Sequence, residues 1–504
     1  MGTRISVAPV VLALDPPLAA RGPWLPEGVF PLIFPATQRG LSQAFAEAKK
    51  ITKETGPRPV LLFLPSREPE LVARAALERQ TDRLAVIHQD ARLSSAKEAL
   101  LRAAFAVVDH TVVFDVAGER AAVRLGADAE RISVIGGAEG PRQEMLHRVI
   151  TEPRRRARRA GVMEACASLA LDGLAAVGAV RAAEKLTRKR GANVVNYHRV
   201  LPMEEYRSYG RPQMATPASI FEAQIEELSD LTGFVRVEDV RSPAARGRTA
   251  ITFDDGYEDN FRVAFPILQR FSTPACIFVV TGLIGASEAL WWDRVGLSLF
   301  AYWRSGAKVG VPSDLPRRAR ALEAAQSYER ARQIISEVLT ELNDVDAEAR
   351  DRAVAAAESL VPKLDLRRTM LTWAEVRQMQ RLGITFGAHT RNHVNLEHVT
   401  PEVAREEILG AQVDLELELG TELADVRLVA LPRGRLGPLE ETELRRNGFS
   451  GVMTTAPGIN PPSDPSLFVL RRDGNYLTLR GRHHPAKLRL ELTGVFDRFR
   501  PSDW

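Results

Sequence analysis

Short apolar runs rich in β-branched residues recur along the first 150 residues, at 10–14, 60–64, 84–88, 112–114 and 132–135. Each has the length of a strand. Between several of them, apolar residues return at three-to-four spacing, at 43–52, 68–78 and 94–104, which predicts amphipathic helices. Alternating strand and helix patterns predict an α/β open parallel sheet covered by helices, a Rossmann-like arrangement. The stretch carries neither a Gly-x-Gly-x-x-Gly nor a phosphate-cradling Gly-Lys-Ser/Thr loop.

The same rhythm resumes after residue 190. Strand patterns lie at 194–198, 249–254, 275–280, 384–388 and 426–431, and helix patterns at 221–231, 263–271, 373–382, 402–419 and 440–447. A mostly helical insertion spans 287–360, clearest at 328–342 and 348–361. Repeated strand–helix units whose polar chemistry sits at the strands' C-terminal ends describe a barrel.

A boundary separates the two regions. Pro153-Arg154-Arg155-Arg156-Ala157-Arg158-Arg159 is a basic run, followed by a small-residue helix pattern at 162–185 and then Arg188-Lys189-Arg190. Glu164, Asp172 and Glu184 exclude a bilayer span. The segment reads as a solvated helical linker packing its alanine-rich face on a neighbour. A membrane-surface helix held by anionic lipid is the alternative. The expected domains are therefore 1–152 (α/β), 153–191 (basic linker), 192–480 (barrel) and 481–504, a basic C-terminal tail with Arg482, Lys487 and Arg489.

Composition agrees with two or more domains, since 504 residues exceed one ordinary core. Hydrophobic content of 45% and charged content of 26% are those of a globular protein. At a formal charge of +4 no nucleic-acid partner is expected. Cys166 and Cys276 lie far apart among apolar residues and read as two buried free thiols, without a disulfide framework. Residues 6–15 read as a first strand, not a signal peptide, so the default expectation is a cytoplasmic protein, with peripheral membrane contact open through the basic linker.

The chemistry centres on Ile251-Thr252-Phe253-Asp254-Asp255-Gly256-Tyr257, an apolar strand that ends in two carboxylates and a glycine. Where the chain turns at a strand's end, both acids can line one pocket, and two adjacent carboxylates are costly unless a cation neutralises one. Phe386-Gly387-Ala388-His389-Thr390-Arg391-Asn392-His393 supplies the other donors. Spacing of i and i+4 predicts that His389 and His393 share one side of a helical turn. Two histidines and one carboxylate form the ligand set of a catalytic zinc or a non-haem iron, and leave the second aspartate free as a base.

Thr252-Phe253-Asp254-Asp255-Gly256 followed by His389-Thr390-Arg391-Asn392-His393 resembles the polysaccharide deacetylases, the NodB-homology or carbohydrate esterase 4 group. Asn196-Tyr197-His198-Arg199-Val200 resembles the Tyr-His opening of one branch. Pro274 to Val279 with Thr281-Gly282, Trp291-Trp292-Asp293, and Asn447-Gly448-Phe449 with Thr454-Thr455 and Gly458 fit as well. The resemblance spans roughly 190–480 and implies an irregular (β/α)7 barrel. It implies a divalent metal ion, zinc first, on Asp255, His389 and His393, with Asp254 as general base and an acetylated glycan as substrate. A backbone N–H near Arg433 would stabilise the oxyanion.

Departures from the family pattern bear on the rest of the pocket. Leu431 and Arg433 stand where many members carry tyrosine around the proline, and the Leu-x-His that supplies the usual acid is not apparent. Leu470-Arg471-Arg472 resembles the Leu-Pro-Arg of the Tyr-His branch, with Arg471 in place of proline. Arg433 and Arg472 are the expected substrate-binding residues, and His198 is the substitute acid or pocket residue. His88, His110, His147, His398, His483 and His484 read as surface or helix-end histidines. Residues 106–138 are similar to one half of a two-domain glycosyltransferase, without its usual Asn-Gly. The reading is a metal-dependent carbohydrate deacetylase. Alternatives are a deformylase of a lipid-linked sugar, an iron oxygenase, or a carbohydrate-binding pseudo-enzyme.

Overall fold

A computed structural model describes residues 10–14, 32–34, 36–55, 60–65, 71–72, 75, 83–87, 93–105, 108, 110–113, 116–134, 158–187, 191–286, 289–307, 309–326, 328–361, 368–420, 427–462, 469–470, 478 and 482–495. The chain divides into two compact units. Met1–Arg181 with Thr478–Leu488 form the first, and Ala182–Leu477 with Arg489–Trp504 form the second.

The first unit is built on six parallel strands: β1 (Val10–Leu14), β2 (Leu32–Phe34), β3 (Val60–Pro65), β4 (Arg83–Ile87), β5 (His110–Val113) and β6 (Ile132–Val134). They pair in the order β2-β1-β3-β4-β5-β6. The open parallel sheet is the one the apolar runs predict. Strand β2 escapes the pattern because three residues between prolines are too few to show a period. Of the expected helix at 68–78, only 71, 72 and 75 fall within the described residues, and they are helical. His88 and His147 lie outside those residues.

The linker is two helices, Arg158–Ala176 and Ala179–Thr187, not one. The break falls at Val177-Gly178, where Gly178 adopts φ +78°, a region that costs other residues a steric clash. The first of these helices packs on Ser95–Phe105, and Arg102 Nε donates to Asp172 Oδ2 at 3.1 Å. Three expectations are corrected here. Cys166 is exposed, and only Cys276 is buried. His483 and His484 are buried, not on the surface. Residues 482–495 do not trail as a solvated tail: Arg482 donates to the Gly126 carbonyl at 2.7 Å, and Pro485–Glu491 is a helix. Burial of Leu488, Leu490 and Leu492, which alternate with Arg489 and Glu491 in the sequence, explains the difference.

The second unit contains β7 (Asn193–Tyr197), β8 (Arg199–Leu201), β9 (Ala215–Pro217), β10 (Thr249–Phe253), β11 (Ala275–Val279), β12 (Thr385–Ala388), β13 (Leu428–Ala430), β14 (Gly451–Met453) and β15 (Val469–Leu470). Strands β8 and β9 form a small separate sheet that the sequence pattern does not announce. The other seven are parallel and follow chain order, β7-β10-β11-β12-β13-β14-β15. Among the described residues no ladder joins β7 to β15, and one antiparallel bridge, Ala192 to Asn460, lies between the ends of the sheet. This is an irregular, incompletely closed (β/α)7 barrel. Every residue of β7, β10 and β11 is buried, as expected for parallel strands covered on both faces. Alternate residues Val194, Ala250, Cys276, Phe278, Leu428, Ala430 and Met453 pack together on one face.

Register decides what meets at the C-terminal end. Phe253 pairs with Tyr197 and Ile277, and Val279 pairs with Ala388. The residues that follow these strand ends are therefore neighbours: His198, Asp254 and His389. The insertion forms a helical subcore from Trp291–Ser305, Tyr328–Leu342 and Ala347–Ser359, with Leu299, Ile335, Leu339 and Val354 inside it. Tyr257 and Met370 share that subcore, so the insertion is joined directly to the loop after β10.

Candidate active site

The loop after β10 turns sharply. Asp255 has φ 76° and Gly256 φ 81°, two successive left-handed residues. Aspartate tolerates this region better than most residues because its short side chain bonds locally. At 256 only glycine fits, since a Cβ would also lie 2.9 Å from Val279 Cγ1. The turn sends the two carboxylates to different partners. Asp254 Oδ2 accepts from Asn196 Nδ2 at 3.1 Å and lies 3.9 Å from His198 Nε2. Asn196 is itself held by Thr252, whose hydroxyl donates to Asn196 Oδ1 at 3.0 Å. Asp255 Oδ1 lies 3.4 Å from Nε2 of both His389 and His393.

The two histidines do not lie on a helical turn, contrary to the i, i+4 expectation. Residues 389–395 are irregular, with Thr390 at φ 62° and His393 at φ 53°. The left-handed positions fold the segment back on itself, and outside partners hold it. Glu407 accepts from the Asn392 N–H at 2.8 Å and from its Nδ2 at 2.7 Å. Arg391 pairs with Asp414 at 2.8 and 2.9 Å, and Thr281 also donates to Asp414 at 2.7 Å. Glu407 and Asp414 are two turns apart on the helix Pro401–Leu419, so one helix face clamps the loop.

Ring orientation is fixed as well. His389 Nδ1 donates to the Ala430 carbonyl at 2.8 Å, which leaves Nε2 as the lone-pair nitrogen facing Asp255. The Trp292 ring meets His393 edge-on, at 4.9 Å between centroids. Trp292 Nε1 donates to Tyr257 Oη at 2.9 Å. Tyr257 and Tyr209 in turn sandwich the buried Arg199 guanidinium, at 4.5 and 4.7 Å, and Arg199 Nε donates to Asp259 at 2.9 Å.

Electrostatics make the cluster a cation site. Burial opposes ionisation of Asp255, yet His389, His393 and His198 hold its carboxyl well below the usual carboxylate range. Burial lowers the His393 pKa to about 4, against the pull of Asp255. His389 is raised despite its burial, chiefly by Asp254 and then by Asp255. Neither oxygen of Asp255 has a hydrogen-bond partner, although the residue is 1% exposed. An ionised, unpartnered, buried carboxylate is expensive unless a cation meets it. One donor atom each from Asp255, His389 and His393 lies within 4.8 Å of the others. This donor set fits a divalent metal ion.

The remaining expected residues are placed as follows. Arg433, at φ 59°, has its guanidinium 3.9 Å from the Asp344 carboxylate of the insertion. Arg472 lies outside the described residues. His398 is exposed. Sequence reasoning missed Asn196 as the partner of Asp254 and the Glu407–Asp414 clamp. Their spacing of seven on a predicted helix was a signal available to find the clamp.

Residues 241–452 match the sequence model of the family described as polysaccharide deacetylase. No curated protein matches the chain significantly. Among solved structures, the deacetylase PplD of Streptococcus pyogenes, in complex with acetate, is 18% identical. That likeness covers 58% of this chain and 96% of that one, with a TM-score of 0.36. IcaB from Ammonifex degensii is 20% identical over 56% of this chain and 91% of its own, with a TM-score of 0.35. A polysaccharide deacetylase from Bacillus cereus is 16% identical over 60% and 69%, with a TM-score of 0.36. The sequence match contains Asp254, Asp255, His389 and His393, which follow the strands β10 and β12, and residues 241–452 are a polysaccharide deacetylase domain.

Proposed function

We propose that the chain is a metal-dependent deacetylase that removes N- or O-linked acetyl groups from a glycan. One observation carries this reading: Asp255 is buried with no hydrogen-bond partner on either oxygen, beside two histidine nitrogens at 3.4 Å, while Asp254 is held separately. Asp255, His389 and His393 would hold the ion. Zinc suits this mixed nitrogen and oxygen set, and when bound it supplies a Lewis acid that lowers the pKa of a water from 15.7 to about 7 and polarises a carbonyl.

The chain's own residues supply the proton transfers. Asp254 accepts the proton of the attacking water, and Asn196 keeps its carboxylate aimed and acceptor-ready. The water oxygen adds to the acetyl carbon, and the carbonyl electrons move onto its oxygen. Collapse breaks the C–N or C–O bond and releases acetate. The departing amine or alkoxide takes a proton from His198, which stands 3.9 Å from the same Asp254 oxygen. The Ala430 carbonyl and the Trp292 ring hold the two histidines in register.

Acetate release from a panel of N- and O-acetylated oligosaccharides tests the reading, with protein stripped by chelator and then reloaded with zinc. Release should vanish on stripping and return with metal. Glycan binding without acetate release under every metal would sink it.

A further inference from the structure

The helix Arg158–Ala176 of the first unit has an outer face that a soluble surface helix would not be expected to show. Over Ala165–Ala176, where the side chains are described, its exposed positions are Cys166, Ala167, Leu169, Ala170, Gly173, Leu174 and Ala176, continued by Val177, and none of these carries a charge or a hydrogen-bonding side chain other than the thiol. Leu169 is 44% exposed, Leu174 45% and Val177 79%. A helix on a globular surface normally turns charged residues outward. Here the two described polar residues of the stretch, Ser168 and Asp172, have partners within the first unit. Ser168 is buried and meets His484 at 3.2 Å, and Asp172 is bound to Arg102 at 3.1 Å.

The ends of the segment carry the opposite character. Arg154, Arg155, Arg156, Arg158 and Arg159 precede the face, and Arg181, Lys185, Arg188, Lys189 and Arg190 follow it. Against these ten bases stand three acids, Glu164, Asp172 and Glu184. Asp172 is spent on Arg102, and Glu184 receives both nitrogens of Arg489 at 2.7 and 2.8 Å. Among the described residues no single helix is long and apolar enough to cross a membrane. An apolar face between two basic clusters is the pattern of a helix lying in the plane of a bilayer interface, its leucines among the acyl chains and its cations on anionic headgroups.

We propose that this face docks the protein on the surface of an anionic membrane. The proposal is independent of the deacetylase reading. Its test is co-sedimentation of the full chain with vesicles of phosphatidylcholine alone, or of phosphatidylcholine mixed with phosphatidylglycerol. Binding is expected to the anionic vesicles only, and to weaken as salt screens the headgroups. Leu169→Glu with Leu174→Glu should reduce binding by at least about tenfold, since each substitution removes a leucine from the acyl region. Val177→Glu, at the more exposed position beyond the helix end, is the second variant and should weaken binding in the same direction. Both variants should keep the wild-type unfolding temperature. Wild-type protein left in the supernatant, equal binding to neutral vesicles, or undiminished binding by both variants would overturn the proposal. So would a wild-type dimer in solution that the double substitution turns into monomer, because the face would then be an interface between copies.

Discussion

Asp254 and Asp255 are neighbours of the same type, yet the structure gives them different surroundings. Asp254 meets an amide and lies near His198, and Asp255 meets two imidazoles. This separation predicts opposite phenotypes. Asp254→Asn should keep its metal and lose turnover by roughly 10²–10⁴-fold, the usual worth of a general base. Asp255→Asn should lose the metal first, because a neutral amide is a poor ligand for a divalent ion. Metal content and initial rate, measured on both variants, check this; metal loss in Asp254→Asn with retention in Asp255→Asn would exchange the roles. The four metal and base candidates are legible in the sequence because their side chains announce their chemistry. The Ala430 carbonyl, which sets the His389 tautomer, is not legible, since every residue has a carbonyl and only the fold aims this one.

Among the elements, the strands are legible and the loops between them less so. Apolar runs of strand length predict β7, β10, β11, β12 and β13 because packing on both faces demands such runs. The segment from His389 to His393 is misread as a helical turn, because i, i+4 spacing alone cannot tell a helix from a loop with left-handed residues at 390 and 393. What fixes the start of that loop is a close approach inside the sheet. A Cβ on Gly387 would lie 2.6 Å from two ring carbons of Phe278, which is fully buried on β11. Gly387→Ala should therefore destabilise the second unit by about 1–3 kcal/mol, the usual cost of overpacking. It should also weaken metal affinity, because His389 is two residues away. Adding Phe278→Leu should restore part of both losses. Thermal unfolding and metal titration of the single and double variants read this out; a single variant as stable as the wild type would show that the sheet yields at that point.

The whole molecule is two units, and the chain returns to the first one near its C-terminus. Basic composition hides this return in the sequence, since Arg482-His483-His484 looks like solvated tail. In the structure Arg482 reaches the carbonyl of Gly126, and both histidines are 1% exposed. Burial, with the Arg102 charge adding to it, pushes His483 down to about 3 and His484 down to about 4. Both are thus neutral when folded, while an unfolded chain protonates them near 6.5. Below that pH the unfolded state binds protons that the folded state refuses. Their contribution to stability is present above about 6.5 and is lost as the pH falls through about 4 and then about 3. Asp172 works the other way, because burial raises its carboxyl against the pull of Arg102, but it acts at the acid end of the range. The first unit should therefore weaken between pH 6.5 and 4 by up to about 1.4 kcal/mol per pH unit for each histidine. Replacing the pair by His483→Asn and His484→Gln should flatten that slope, the glutamine keeping a hydrogen bond within reach of Ser168. Hydrogen exchange at the amides of His110–Val113 and Arg158–Ala176, followed across this range, reports the first unit by itself. Equal slopes in wild type and variant would mean that the two rings take up their protons while still in place, and that their burial does not set the acid stability of the unit.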